Sequence, residues 1–418
     1  MKESLENNHR ERRCRFCGEK NLQTFCDLGK TPLSNSYLFS KNLEKQEPFY
    51  PLHALLCPSC LLVQLQEFQS PQEIFKEYAY FSSYSSSWLM HCQEYVKKMV
   101  KRFSLTPSHF VIELASNDGY LLQFFKEFQI PVLGIEPAEN VAEIARKSGV
   151  PTMAKFFGTS CAKELKKEKK LADLLIGNNV LAHVPDLNDF VEGMKVVLNK
   201  KGIITMEFPH LLQLMENVQF DTIYHEHFSY FSFLTVEKVF SAHGLTLFDV
   251  EELLTHGGSI RIYAKHSDDL TREILPSVNL LKEKETAAGL ADKDSYHSFA
   301  EKAETVKEEL VKFLEDCKKN NKKVAGYGAP AKGNTLLNFC KVTPDILPFT
   351  VDISPHKQGR FLPGTHIPIK KPDDLKEEKP DYLLILPWNL KKEIMEQVSY
   401  IRTWGGKFVV AIPKLEVC

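Results

Sequence analysis

Apolar residues in this chain come in short runs broken by polar turns, with helix-spaced stretches between the runs. Phe110-Val-Ile-Glu-Leu-Ala115, Pro131-Val-Leu-Gly-Ile-Glu136, Leu171-Ala-Asp-Leu-Leu-Ile176 and Gly202-Ile-Ile-Thr-Met-Glu-Phe208 read as buried strands. Residues 120–128, 140–148 and 189–198 carry apolar side chains at helical spacing. Such alternation predicts a doubly wound, largely parallel sheet. A helix at 234–243 follows, and an antiparallel pair, 245–250 with 259–264, should close the sheet.

The pattern changes on either side. Upstream, a hydroxyl-rich run from Tyr78 to Trp88 precedes a helix at 88–103, with Ser87 placed to cap it. Three tyrosines in seven residues there suit either packing or a ligand wall. Downstream, residues 267–320 are charged and helical. Phe299, Ala303, Val306, Leu310, Phe313 and Cys317 form one apolar stripe, and the Lys/Glu runs read as a solvated face. A second α/β unit then begins: strand 323–327, loop 328–333, helix 334–340, and strands at 349–352, 382–386 and 407–412. The expected organisation is a small zinc-binding module at 1–70, a Rossmann-like α/β domain at 71–266 and a second Rossmann-like α/β domain at 267–418.

Composition narrows the partners. A formal net charge of −1 gives no basic field for nucleic acid or anionic lipid. No segment approaches the ~20 apolar residues of a membrane helix, and Met1-Lys-Glu-Ser-Leu-Glu lacks the apolar core of a signal peptide. A cytoplasmic monomer is expected. Four of the ten cysteines fall in two C-x-x-C pairs, Cys14/Cys17 and Cys57/Cys60. In a reducing compartment such knuckles read as a closed, structural Cys₄ zinc site. A thioredoxin-like redox pair would need a βαβ context that is absent around them. The segment between the pairs carries loop residues, Gly29, Pro32, Pro48 and Pro51.

The first strand of the central sheet ends in Glu113-Leu-Ala-Ser-Asn-Asp-Gly119, and the second in Glu136-Pro137. A glycine-bearing turn and an acid at the next strand end are how these sheets hold an adenosyl group. The turn lacks the close glycines of a pyrophosphate site, which favours S-adenosylmethionine over NAD. Glu136 suits the ribose diol, and Glu113 or Asp118 the amino-acid end. Ala115, Asn117, Asn178 and Asn179 fall at the carboxyl ends of strands, where ligands bind. His183 there reads equally as packing or catalysis.

Tyr224-His-Glu-His227 gathers a phenol, two imidazoles and a carboxylate in four residues. Such groups can take a proton from carbon and stabilise the enolate that results. A metal site or a solvated turn is the alternative. His225 has the opposite parity to Glu226 in an extended segment and is set aside.

Together these residues resemble a known family: the S-adenosylmethionine-dependent C-methyltransferases of deoxysugar pathways, which act on C-3 of nucleotide-linked 4-keto-6-deoxy sugars. The likeness spans nearly the whole chain. It rests on the four cysteines, Ser116-Asn-Asp-Gly119, His183, Tyr224-His-Glu-His227, His256-Gly-Gly-Ser-Ile-Arg261, Gly326-Tyr-Gly-Ala-Pro-Ala-Lys-Gly-Asn334 and Val351–Arg360. The resemblance implies that Tyr224, Glu226, His227, His183 and a tyrosine of the Ser/Tyr loop, Tyr78 or else Tyr80, line the sugar. Family members often have Gly where this chain has Ala115. The resemblance also implies no NAD site in the C-terminal half. There Lys332, Asn334, Lys357 and Arg360, read as loop residues, suit a diphosphate; a decayed nucleotide fold used for packing is the alternative. On this reading His227 is the base, Tyr224 or Tyr78 relays or donates, Glu226 fixes the His227 tautomer and His183 bonds the ketone oxygen. The competing classes are an NAD-linked nucleotide-sugar oxidoreductase and a zinc-ribbon nucleic-acid methyltransferase.

Overall fold

A computed structural model describes residues 13–69, 82–84 and 86–418. They form two compact units, each built from three stretches of chain. One takes residues up to 22, 57–210 and 228–292; the other takes 23–56, 211–227 and 293–418.

The first unit is built on a seven-stranded sheet. Its strands are β1 (Val111–Leu114), β2 (Val132–Ile135), β3 (Thr152–Met153), β4 (Ala172–Asn178), β5 (Leu198–Pro209), β6 (Leu245–Leu253) and β7 (Ser259–His266), in the order β3-β2-β1-β4-β5-β7-β6. The first five run parallel, and β7 is antiparallel to both β5 and β6. Side chains alternate between two cores. Ile112, Leu114, Leu175, Ile204 and Met206 face one; Val111, Leu174, Ile176 and Ile203 face the other. Burial on both faces is what the near-continuous apolar runs encode. Gly134 in β2 is obligatory, because a Cβ there would come within 2.2 Å of Ser116 Oγ in the neighbouring turn.

Helices at Leu122–Glu127, Glu139–Lys147, Leu187–Val197 and Phe233–Ala242 flank the strands as the pattern predicts. Asp186 caps the third and Ser232 the fourth, each accepting a backbone N–H with its side chain. The helix expected at 88–103 runs Ser86–Arg102, so Ser87 lies inside its first turn rather than before it. Helix Thr159–Lys167 was not predicted, since its charged residues mask a short apolar face, whereas helix Pro276–Ala287 lies within the stretch read as helical.

In the second unit, the segment expected as loop forms an antiparallel hairpin, Gln23–Thr31 with Tyr50–Leu56. Gly29 sits at φ 79° beside a register shift, so this turn-former builds a bulge instead of ending the strand. Phe25 stacks on Phe299 at 4.7 Å. The C-terminal sheet has β8 (Val324–Tyr327), β9 (Thr350–Val351), β10 (Ile369–Lys370), β11 (Tyr382–Ile385), β12 (Lys407–Val410) and β13 (Glu416–Val417), ordered β10-β9-β8-β11-β12-β13. All pairs are parallel but the last. On helix Phe299–Lys319 the stripe ends on Leu314 and Cys317; Phe313 is half-buried and meets Tyr382 edge-on. Among the described residues, no helix is long and apolar enough to cross a membrane.

Candidate functional site

The two cysteine knuckles close on one another. The Sγ atoms of Cys14 and Cys60 lie 3.5 Å apart, as do those of Cys17 and Cys57, and all four fall within 4.8 Å of each other. Tetrahedral zinc with Zn–S of about 2.3 Å sets neighbouring sulfurs about 3.8 Å apart, so the donor set fits the metal. Each knuckle turns back through a backbone bond to its first cysteine, from Gly18 to Cys14 and from Leu61 to Cys57. Both donors have positive φ, 79° for Gly18 and 66° for Leu61. Cys14, Cys57, Cys60 and Leu62 belong to the larger core of the central sheet, so this site is structural.

At the carboxyl ends of β1, β2 and β4, acids and amides collect. Glu136 accepts the Asn117 N–H on one oxygen and the Ala138 N–H on the other, at 3.0 and 2.9 Å. Burial raises its carboxyl, and these two donors offset the rise. The remaining lone pairs suit a ribose diol. Pro137, half-buried, sits in the turn that delivers the Ala138 donor. Ala115 and Asn117 shape the preceding turn with φ of 55° and 47°. For Ala115 that is a position where glycine is unstrained. Asp118 accepts from the Ser83 hydroxyl at 2.5 Å.

Glu113 is fully buried, and neither of its oxygens has a hydrogen-bond partner among the described residues. Burial pushes its carboxyl well above the usual carboxylate range, and the Tyr120 phenol offsets this only in part. Both polar atoms of Asn178, 6% exposed, are likewise unpartnered among the described residues. Buried polar groups left open in this way await a ligand with donors to give. A sulfonium carrying an ammonium and a diol matches them, and a pyrophosphate does not. His183 ends the short 3-10 turn Leu181–His183 after β4 and is half-buried.

In the second unit, Tyr224 and His227 form a bonded pair. The Tyr224 hydroxyl is 2.7 Å from His227 Nε2, and the rings lie 4.0 Å apart, centre to centre. His227 Nδ1 meets the Thr222 carbonyl at 2.9 Å. A carbonyl only accepts, so Nδ1 carries the proton and Nε2 is the basic nitrogen, receiving the phenol O–H. Thr222, not the expected Glu226, therefore fixes the tautomer. Glu226 is buried and accepts from Asn35 Nδ2 at 2.7 Å instead; burial raises its carboxyl and Asn35 lowers it. His225 turns into the protein, within 3.2 Å of the Pro51 carbonyl and edge-on to Tyr50.

The loop that carries the pair is anchored by groups that local sequence patterns did not reveal. Asp221 accepts from Trp388 Nε1 at 2.8 Å, and burial pushes its carboxyl up to about 6 against the pull of Lys332. The Thr335 hydroxyl donates to the Ile223 carbonyl. Asn35, Asp221, Thr222, Thr335 and Trp388 lie far apart in sequence or act through backbone, so no local motif signals them.

Lys332 lies in a helix rather than in the expected 328–333 loop, because Ala331–Phe339 begins right after Pro330, and Asn334 falls in that helix as the expected helix at 334–340 has it. Gly333 allows this, since a Cβ there would approach Leu386 Cβ to 2.8 Å. Lys332 bonds Asn389 Oδ1 and lies over the Trp388 ring. Asn334, 1% exposed, has no partner for either amide atom among the described residues. Lys357 bonds the Ala329 carbonyl at 2.9 Å and is 3.5 Å from Asp352, while Arg360 packs over Phe39. Tyr78 and Tyr80 lie outside the described residues.

A methyltransferase sheet with an adenosyl-type crevice and a four-cysteine zinc site defines the class. Three family models match in succession: a zinc binding domain at residues 14–75, a methyltransferase domain at 88–250 and a C-methyltransferase C-terminal domain at 254–413. C-methyltransferase NovU of Streptomyces niveus is 35% identical over 404 residues, 97% of this chain and 96% of that one. Among solved structures, the PH0226 protein of Pyrococcus horikoshii OT3 gives a TM-score of 0.37 at 17% identity, over 48% of this chain and 99% of its own. Magnesium protoporphyrin IX methyltransferase of Synechocystis PCC 6803 gives 0.34 at 12% identity, over 47% and 89%. The chain belongs to the C-methyltransferase family and is an S-adenosylmethionine-dependent, zinc-binding enzyme.

Proposed function

We propose that this enzyme methylates C-3 of a nucleotide-linked 4-keto-6-deoxy sugar, carried on dTDP, through an enolate. The observation that supports it most is the Tyr224–His227 pair with its tautomer held by Thr222. A carbon acid beside a ketone needs a base of near-neutral strength and a donor for the developing oxyanion. Here His227 Nε2 takes the C-3 proton, directly or through the Tyr224 phenol, and His183 donates to the ketone oxygen. A tyrosine of the Ser/Tyr loop, Tyr78 or Tyr80, shares that task. The electron pair left on C-3 would then be the nucleophile for an electrophilic methyl.

S-adenosylmethionine supplies that methyl as a sulfonium. Glu136 with Pro137 takes its ribose, Glu113 or Asp118 its ammonium, and Ala115, Asn117, Asn178 and Asn179 shape the crevice. Lys332 retains ammonium donors beyond its bond to Asn389, so with Asn334, Lys357 and Arg360 it can meet the diphosphate. The enzyme acts as a cytoplasmic monomer on this small molecule, without nucleic acid.

Methyl-labelled S-adenosylmethionine and dTDP-4-keto-6-deoxy sugars test the proposal. Label should appear on carbon, and its absence from every keto sugar offered would sink the reading. His227→Ala should lower turnover by about 10²–10⁴. Turnover at the wild-type rate would remove His227 from the role of base.

A further inference from the structure

His256-Gly-Gly-Ser-Ile-Arg261 builds a strained loop leading into β7. His256, Gly257 and Gly258 have φ of 55°, 92° and 116°. Glycine adopts such angles freely, and histidine does so only where its surroundings over-determine the backbone. They do so here. The Thr255 hydroxyl donates to Glu207 Oε1 at 2.9 Å, and the Ser259 hydroxyl and Gly258 N–H both donate to the Thr255 carbonyl. Glu207 is itself fully buried and fixed by Arg261 and by His91 Nε2 at 3.0 Å. Trp88 stacks on His91 at 5.0 Å and leans on His256 at 5.2 Å.

The loop presents the His256 imidazole to Asn179, at the end of β4. Asn179 Nδ2 lies 3.0 Å from His256 Nε2. Asn179 is also in the left-handed region, at φ 53°. Its Oδ1 is buried and has no partner among the described residues. A carboxamide that gives one N–H to an imidazole has its orientation fixed, and here its oxygen is the buried atom left open.

We propose that His256 is a positioning residue of the methyl-donor site: by accepting the Asn179 N–H it turns the carboxamide oxygen to an N–H group of S-adenosylmethionine. The Arg261–Glu207–Thr255 network holds the imidazole in place for this task. The inference rests on the cofactor reading of Asn179 and not on the identity of the sugar.

The test is calorimetric binding of S-adenosylhomocysteine to the zinc-loaded full chain. His256→Phe keeps the ring and removes the acceptor. It should weaken binding about tenfold, as should Asn179→Ala, and the double variant should again lose about tenfold rather than a hundredfold. His256→Gln restores an acceptor and should bind within about threefold of wild type. Wild-type affinity in His256→Phe or in Asn179→Ala, or additive losses in the double variant, would overturn the proposal. A lowered thermal midpoint with unchanged affinity assigns His256 to folding alone and overturns it too. Glu136→Ala is the control: loss there with none in His256→Phe defeats this inference and leaves the crevice standing.

Discussion

Glu113 is a carboxyl kept from water, with the Tyr120 phenol only partly easing its charge, and this makes it responsive to charge. Because its folded pKa is raised above the unfolded value, its contribution to stability is full below about pH 4 and is lost as pH rises through the folded value. Ionisation of Glu113 therefore opposes folding. If Glu113 meets the ammonium of the methyl donor, binding favours its ionised form and drives off whatever proton the free protein holds there. Titration of S-adenosylhomocysteine at pH 7 in buffers of different ionisation enthalpy should therefore show release of up to about one proton, and Glu113→Gln should abolish it. Enthalpies independent of buffer would move the ammonium to Asp118. The acids of the crevice were legible because they lie at or just past the carboxyl ends of strands, and strand ends follow from the apolar runs. The partner of His227 was not, because it is the carbonyl of Thr222, and every residue has a carbonyl. Asn35 was equally hidden, reaching Glu226 from 191 residues upstream.

Among elements, helix Pro276–Ala287 shows where charge patterning misleads. Its Lys/Glu content reads as a solvated face, yet Glu285 is fully buried. Its carboxylate accepts the N–H groups of Phe233 and Leu234 and lies 2.6 Å from His210 Nε2. One side chain from a distant helix thus satisfies the first turn of Phe233–Ala242. Glu285→Ala leaves three donors without an acceptor, two of them buried and that of Leu234 half-buried. It should cost about 3 kcal/mol or more, seen as a fall of roughly 5 °C in the thermal midpoint. A surface-like loss under about 0.5 kcal/mol would contradict the contact. The zinc knuckles act at the same scale. Cys57→Ser should lower zinc content well below one per chain by elemental analysis, and lower the midpoint by ~5 °C or more, since the knuckles pack into the central core. The cysteine spacing alone was enough to foresee the site. The hairpin between the knuckles was not foreseen, because Gly29 and Pro51 carry loop chemistry while sitting in paired strands.

For the molecule as a whole, the parallel sheets were legible from alternating periods, since buried parallel strands leave continuous apolar runs. The path of the chain was not, because a five-residue apolar run does not say which core will take it. Residues 23–56 belong with 293–418, so the C-terminal stretch lacks part of its core when isolated. A fragment of residues 293–418 would expose the faces of Tyr296 and Phe299 that Phe25 covers. Such a fragment should bind a hydrophobic dye and lose near-ultraviolet dichroism, whereas a rigid, protease-resistant fragment would show that the hairpin is dispensable.

The interleaved chain also has a consequence for biogenesis. The ribosome reaches residue 293 only 237 codons after residue 56. At about 5–20 residues per second, the early hairpin waits roughly 10–50 s for its partners. Throughout that interval the face of the Phe25 ring that Tyr296 and Phe299 cover stays open on the nascent chain. Slow synthesis or premature termination therefore endangers this enzyme more than one whose domains follow one another in order, and holdase chaperones should associate first with its N-terminal segment.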